Sequence, residues 1–365
     1  VRIYLGSSGL SQSQIEALVD TVPKRYSIYE PLVLFTSGSF DTPAWKSYFE
    51  SNSVKDAFFQ SLLLNSLKIF GKPSTMNATK TSAQTKTRLL SHFAENAPII
   101  ESDILRRPTS LAPLYGDFGP EYTPNLSINP TSADFDAALW VSTIQNGLKQ
   151  VWAPRFTMFS RGNIKEKARI IQNFNKDRSV YGQTIIDVYA GIGYFVFSYR
   201  HLGAKQVLCW EINPWSVEGL RRGALANGWK CKVVQSDVDF AEYTQTGYLD
   251  YDLVVFLESN EMAVDRNENK NSLTRPTHFN MGLLPDSKQS YPIVINLALL
   301  NYPLSSPANP KFHVHENVSI HNLSQWGAET AKSFNSIISK VKFIHVEKIK
   351  TFAPDIWHVC GDYEL

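Results

Sequence analysis

An acid at the end of an apolar run, two glycines just after it and a second acid one helix further on are the residues of this chain best suited to chemistry. The run Ile185-Ile-Asp187 leads into Val-Tyr189-Ala-Gly191-Ile-Gly193-Tyr-Phe195, and Gln206-Val-Leu-Cys-Trp-Glu211 follows. The apolar run suits a buried parallel strand, and the glycines let the backbone turn tightly beneath a ligand before a helix over 194–201. Glu211 closes the next strand 24 residues after Asp187 (211 − 187). At that spacing an acid reaches the hydroxyls of a ribose held over the first strand-to-helix turn. Such a site takes dinucleotides or S-adenosylmethionine. The third glycine of a dinucleotide fingerprint would fall at Val196, whose bulk hinders close packing of helix on strand, so NAD and FAD are disfavoured.

S-adenosylmethionine carries an adenosine, a sulfonium and an amino acid tail, and each needs a partner. Glu211 suits the ribose, and Asp237, just past an apolar run at 231–235, suits the exocyclic amine of adenine. Tyr189 can face the sulfonium with its ring or pack in the core. Asp187 can orient the turn through its amides or simply end the strand. Ser160, with Lys167 about two turns further along a helix opening near Asn163, can grip the tail carboxylate; an N-cap and a surface lysine have the same spacing. His313 and His315 share a strand face beside Glu316, yet no third ligand follows at a metal-binding spacing, so no metal is expected. Amino-group methyltransferases of this architecture usually carry Asn or Asp followed by Pro-Pro and an aromatic. This chain has no Pro-Pro pair, and 278–287 reads as the corresponding region, with 251–258 as the competing strand.

Holding these residues in place requires an alternating α/β domain. Apolar runs at 184–189, 206–211, 231–235, 250–256 and 311–316 are separated by helical stretches, and 342–352 with 357–363 read as an antiparallel pair at the sheet edge. The expected fold of 161–365 is Rossmann-like, a mostly parallel seven-stranded sheet with an antiparallel C-terminal strand. Residues 111–160 read as a small β-rich domain, where Asn146-Gly147 supplies the positive φ angles of a tight hairpin. Residues 1–110 read as a mainly helical module, from the start signal Thr42-Pro43 and apolar Trp45, Phe49, Val54, Phe58 and Leu62 at helical spacing. The polar segment 71–83 reads as an exposed loop. Its lysines, with Lys86, Arg88, Arg106 and Arg107, can touch phosphates or simply be solvated.

The net charge of +2 over 365 residues hides an asymmetry. Residues 1–180 hold 20 Lys+Arg against 15 Asp+Glu, a balance of +5, and 181–365 hold 16 against 19, a balance of −3. That distribution suits a polyanion held by the front half, as it also suits ordinary solvated surface. The three cysteines are isolated, and no run of about 18 apolar residues offers a membrane span. A reducing, cytoplasmic setting is expected.

Several motifs taken together resemble the tRNA wybutosine-synthesizing protein 2 family, relatives of the tRNA guanine-N1 methyltransferases. They are Met158-Phe-Ser160-Arg-Gly162-Asn163-Ile-Lys-Glu166-Lys167, Asp187 to Phe195, Glu211-Ile-Asn213-Pro214, Met281-Gly-Leu-Leu-Pro285-Asp-Ser287, His313-Val-His-Glu-Asn317-Val and Phe352-Ala-Pro354 near His358. The resemblance runs from about Leu111 to the end and is looser over 1–110. It implies transfer of the 3-amino-3-carboxypropyl group of S-adenosylmethionine to 4-demethylwyosine in tRNA(Phe), with release of methylthioadenosine. It also implies Ser160 and Lys167 at the amino acid tail, Glu211 at the ribose, Asp237 with the Val238 backbone at adenine, and Asp187, Tyr189, Gly191 and Gly193 beneath the cofactor. No obligate protein partner and no metal are implied. No general base can be named, Glu316 and His315 being the candidates. The alternatives are a guanine-N1 type tRNA methyltransferase on the same fold and a catalytically silent RNA-binding subunit.

Overall fold

The computed structural model describes residues 1–70, 90–96, 111–268, 275–302 and 309–365. The 71–83 segment and Lys86, Arg88, Arg106 and Arg107 lie outside the described residues. The chain groups into two compact units, the first 1–126, 131–143 and 153–158, the second 127–130, 144–152 and 159–365. No helix of the described residues is long and apolar enough to cross a membrane.

The first unit is built on a sheet as well as on helices, which differs from the helical module expected for 1–110. Strands β1 (Tyr26–Tyr29), β2 (Leu32–Phe35), β3 (His92–Glu95) and β4 (Ala112–Tyr115) lie in that order, with only β2 and β3 parallel. Each strand is four residues long, too short for a period of two to stand out. Helices Pro43–Tyr48 and Asn52–Leu64 bury Trp45, Phe58 and Phe59 against Phe35 and Phe93 of the sheet. The Thr42 hydroxyl accepts from the Trp45 amide and Pro43 opens the helix, as the start signal predicts.

The expected β-rich domain over 111–160 is divided otherwise. Strand β4 completes the first sheet, while the hairpin of β5 (Val141–Gln145) and β6 (Leu148–Trp152) turns through Asn146 and Gly147 at φ 52° and 80°. From residue 144 to 152 this hairpin belongs to the second unit.

Among the described residues the second unit is a Rossmann-like α/β sheet of eight strands, one more than expected. They are β7 (Thr184–Asp187), β8 (Gln206–Glu211), β9 (Cys231–Val234), β10 (Leu253–Leu257), β11 (Pro276–Met281), β12 (Lys311–Ser319), β13 (Lys342–Ala353) and β14 (Ile356–Glu364). The order across the sheet is β13-β14-β12-β11-β7-β8-β10-β9. Strands β7 to β12 are parallel, and β14 runs antiparallel to both β12 and β13. Ile186, Leu208, Val254 and Phe279 face one core layer with Tyr291 and Phe334, while Ile185, Val207 and Val255 face another with Phe174, Phe197 and Leu220.

Strand β10 lies between β8 and β9, and β9 takes the edge. Burial explains the exchange. Leu253-Val-Val-Phe is fully buried, as a strand covered on both faces must be, whereas β9 carries Lys232 and buries only Val234 completely. Strand β11 then pairs with β7, with Asn280 opposite Asp187, so the 278–287 region does occupy the fourth position of the fold.

Candidate functional site

The glycine turn is held from beneath by carboxylates that accept backbone hydrogen bonds. Asp187 accepts from the Tyr189 amide at 3.1 Å and from the Asn280 side-chain amide at 3.0 Å. Burial pushes the Asp187 carboxyl up to about 7, against those two hydrogen bonds and with Glu211 adding to the rise. Gly191 and Gly193 have φ of 54° and 85°, in the left-handed region. A side chain at 193 would meet the Phe197 ring at 2.7 Å. Both conditions call for glycine.

Glu211 spans the gap between turn and next helix. One oxygen accepts from the Gly191 amide at 2.9 Å, the other from the Asn213 amide at 2.8 Å. Burial raises its pKa and those amides offset the rise. A carboxylate has about four acceptor positions, so two remain for hydroxyls of a ligand. The Tyr189 hydroxyl is buried and has no hydrogen-bond partner among the described residues, and its ring packs against the core layer that holds Ile186 and Leu208.

The other end of the site is assembled from side chains. Lys167 is 2% exposed on the helix Ile164–Asp177. Its ammonium donates to Gln145 Oε1 at 2.8 Å and to Gln150 Oε1, and lies 5.3 Å and 5.4 Å from the ring centres of Phe159 and Tyr194. Burial lowers its pKa to about 7. All its partners among the described residues are neutral. A buried cation paired only with carbonyl oxygens and π faces is a receptor for an anion.

Ser160 is tied to the same group. Its amide donates to the Tyr194 hydroxyl at 3.2 Å, and its own hydroxyl donates to Asn163 Oδ1 at 3.1 Å. Gln150 Nε2 donates to the Gly193 carbonyl at 3.3 Å, which joins the lysine to the glycine turn. Ser160, Lys167, Asp187, Tyr189, Gly191, Gly193 and Glu211 are thus gathered into one network. Gln150 was legible in part, since it shares a strand face with Leu148 and Trp152 and so puts an amide on a buried face. Gln145, Tyr194 and Asn280 gave no sequence signal.

Asp237 and Val238 are not gathered there. Both are exposed, Val238 to 76%, and they follow the edge strand β9, not the neighbour of β8. Three strand spacings, about 14 Å, separate β9 from β7. Glu258, Ser259 and Asn260 stand just beyond β10, the neighbour of β8. Glu258 is already engaged by Trp210 and Arg266, whereas Asn260 Nδ2 donates to the Val188 carbonyl at 3.0 Å, beside the turn. The uninterrupted apolar run before Glu258 was the signal for a central strand.

The two proton-acceptor candidates are buried away from open chemistry. His315 stacks on Phe195 with ring centres 4.6 Å apart, and its Nδ1 lies 3.1 Å from His358 Nε2. Burial, with His358 and Arg169 nearby, keeps it neutral by lowering its pKa well below the usual histidine value. Glu316 pairs with Lys288 at 3.2 Å. Glu166, His315 and Cys360 bring potential metal-ligand atoms within 4.8 Å of one another. Arg169, however, donates to both oxygens of Glu166 at 2.8 and 2.7 Å and to Asp362 at 2.6 Å. The guanidinium already balances the charge, and a dication beside it would be repelled. The cluster is an ion-pair knot that fixes the Lys167 helix to β14.

The fold is that of class I methyltransferase-like proteins, and the site sets an acid beside a glycine turn at one end and a buried lysine at the other. Residues 143–264 match the TRM5/TYW2 methyltransferase domain. The chain is 38% identical to tRNA wybutosine-synthesizing protein 2 of Saccharomyces cerevisiae, over 99% of this chain and 79% of that protein. It is 39% identical to the protein of the same name from Schizosaccharomyces pombe, over 94% of this chain and 73% of that one. The crystal structure of P. horikoshii TYW2 in complex with MeSAdo has the same fold, with a TM-score of 0.58 at 16% identity over 100% of this chain and 97% of that one. The chain belongs to the tRNA wybutosine-synthesizing protein 2 family.

Proposed function

We infer that this chain transfers the 3-amino-3-carboxypropyl group of S-adenosylmethionine to 4-demethylwyosine in tRNA, with methylthioadenosine as the second product. Family membership supports the activity. The observation that carries the reading to the residues is Lys167, a buried cation with only neutral partners among the described residues, linked through Gln150 to the glycine turn.

Bound S-adenosylmethionine supplies a sulfonium whose three attached carbons are all electrophilic, so placement decides which one the nucleophile meets. Glu211 and the Tyr189 hydroxyl hold the adenosine end, with Asn260 at the adenine side in place of Asp237 and Val238. Lys167 and Ser160 hold the carboxylate of the tail. Fixing both ends leaves the γ-carbon, not the methyl, in line with the base. Asp187 and Asn280 keep the turn rigid while this happens. The reading carries with it tRNA(Phe) as the RNA, the cytoplasm as the compartment, and neither a metal nor an obligate protein partner.

Incubation with S-adenosylmethionine and tRNA carrying 4-demethylwyosine, followed by mass spectrometry of the nucleoside by-product, tests it. Methylthioadenosine is expected. Adenosylhomocysteine as the dominant product would instead establish a methyltransferase.

A further inference from the structure

Strand β13 is the outermost of the sheet, yet one of its lysines reaches the tail end of the site. Between Lys348 and Lys350 the pairing with β14 slips: Lys348 lies opposite Val359 and Lys350 opposite His358, so two steps on one strand match one on the other. Such a bulge re-aims side chains that would otherwise share a face. Ile349 goes into the core at 1% exposed. Lys348 Nζ lies 5.4 Å from the Trp357 ring centre, whereas Lys350 reaches Ser160.

Lys350 crosses Gly162 and donates from Nζ to the Ser160 hydroxyl at 2.9 Å. A Cβ on Gly162 would clash with Lys350 Cδ and meet its Nζ at 3.0 Å. The φ of Gly162 is not in the left-handed region, so the missing side chain there serves the passage of the lysine. Ser160 gives its proton to Asn163 and a lone pair to Lys350. The hydroxyl by itself therefore has no proton free for an incoming carboxylate, which would meet the Lys350 ammonium beside it.

We propose that Lys350 is a further ligand for the α-carboxylate of the transferred group, acting with Lys167 across the Ser160 hydroxyl. This rests on the reading that the tail lies at Ser160 and Lys167. Two cations at one end also repel the α-ammonium of the tail, so they set which way round it lies. That orientation selects the γ-carbon. The bulge in β13 and the glycine at 162 are the structural devices that bring the second cation in.

Calorimetric titration of the full chain separates the possibilities, with S-adenosylmethionine and with methylthioadenosine, which lacks the carboxylate. For Lys350→Met, the Kd for S-adenosylmethionine is expected to rise about tenfold or more, while that for methylthioadenosine stays within about twofold. Lys350→Arg should restore part of the loss. Equal weakening of both ligands would mark a structural role and overturn the proposal, as would no change in either. Lys167→Met serves as the parallel case. A selective loss there with none at Lys350 overturns the Lys350 assignment alone; no selective loss at Lys167 overturns the tail placement beneath it.

Discussion

The two ends of the ligand site are built by opposite means. At the glycine turn the ligand-facing surface is backbone, and Glu211 spends one acceptor on each of two amides to hold that backbone in shape. At the far end the surface is side chain: Lys167 buried among Gln145, Gln150, Phe159 and Tyr194. A backbone turn with an acid serves any adenosine, so it carries little information about the reaction. In the proposed reading the cationic end recognises one part of one ligand and decides which carbon is presented.

The largest test of this contrast is Glu211→Ala. It removes a charged acceptor and frees two turn amides, which should weaken every adenosine ligand alike by roughly 1–3 kcal/mol. Calorimetry with S-adenosylmethionine and methylthioadenosine checks it; a loss confined to S-adenosylmethionine would erase the distinction between the ends. Next comes pH. Burial lowers Lys167 to about 7, and a bound carboxylate raises it again, so binding takes up a proton wherever the free lysine is neutral. Affinity for S-adenosylmethionine should be insensitive to this group below pH 7 and fall by up to about tenfold per unit above it. Methylthioadenosine should show no such slope, and a slope common to both ligands would contradict the assignment. The smallest effects sharpen the adenine side. Asn260→Ala should cost about 1 kcal/mol with either ligand, as a lost hydrogen bond does, whereas Asp237→Ala should change neither Kd by more than about twofold. A reversed order between these two variants would return the adenine edge to β9.

Much of the site could be read in the sequence because its spacing is local. Asp187, Gly191, Gly193 and Glu211 lie in one strand-turn-helix-strand unit, and the right-handed crossover leaves little choice in how they meet. Ser160 and Lys167 share one helix start, and their spacing alone favoured an N-cap and a surface lysine. Burial to 2% exposed removed the second of those options. The adenine side was less legible for a different reason. Two short apolar runs, 231–235 and 250–256, follow the helix Pro214–Ala226, and chain order favoured the first. The structure gave the inner place to the second, whose every residue from Leu253 to Phe256 is buried.

By itself the sequence determined the α/β class, the turn that takes a nucleoside, the acid beside it and the family resemblance, because each is encoded over a few consecutive residues. Only the tertiary structure decided the eight-stranded order of the described residues, the exposed position of Asp237 and Val238 beyond the edge strand, the two glutamines that hold Lys167 and the arrival of Lys350 at Ser160. Those depend on contacts between residues up to 190 apart in the chain. Which strand is central, and which lysine is bent inward by a bulge, is settled by the burial available once all the strands compete for the same sheet.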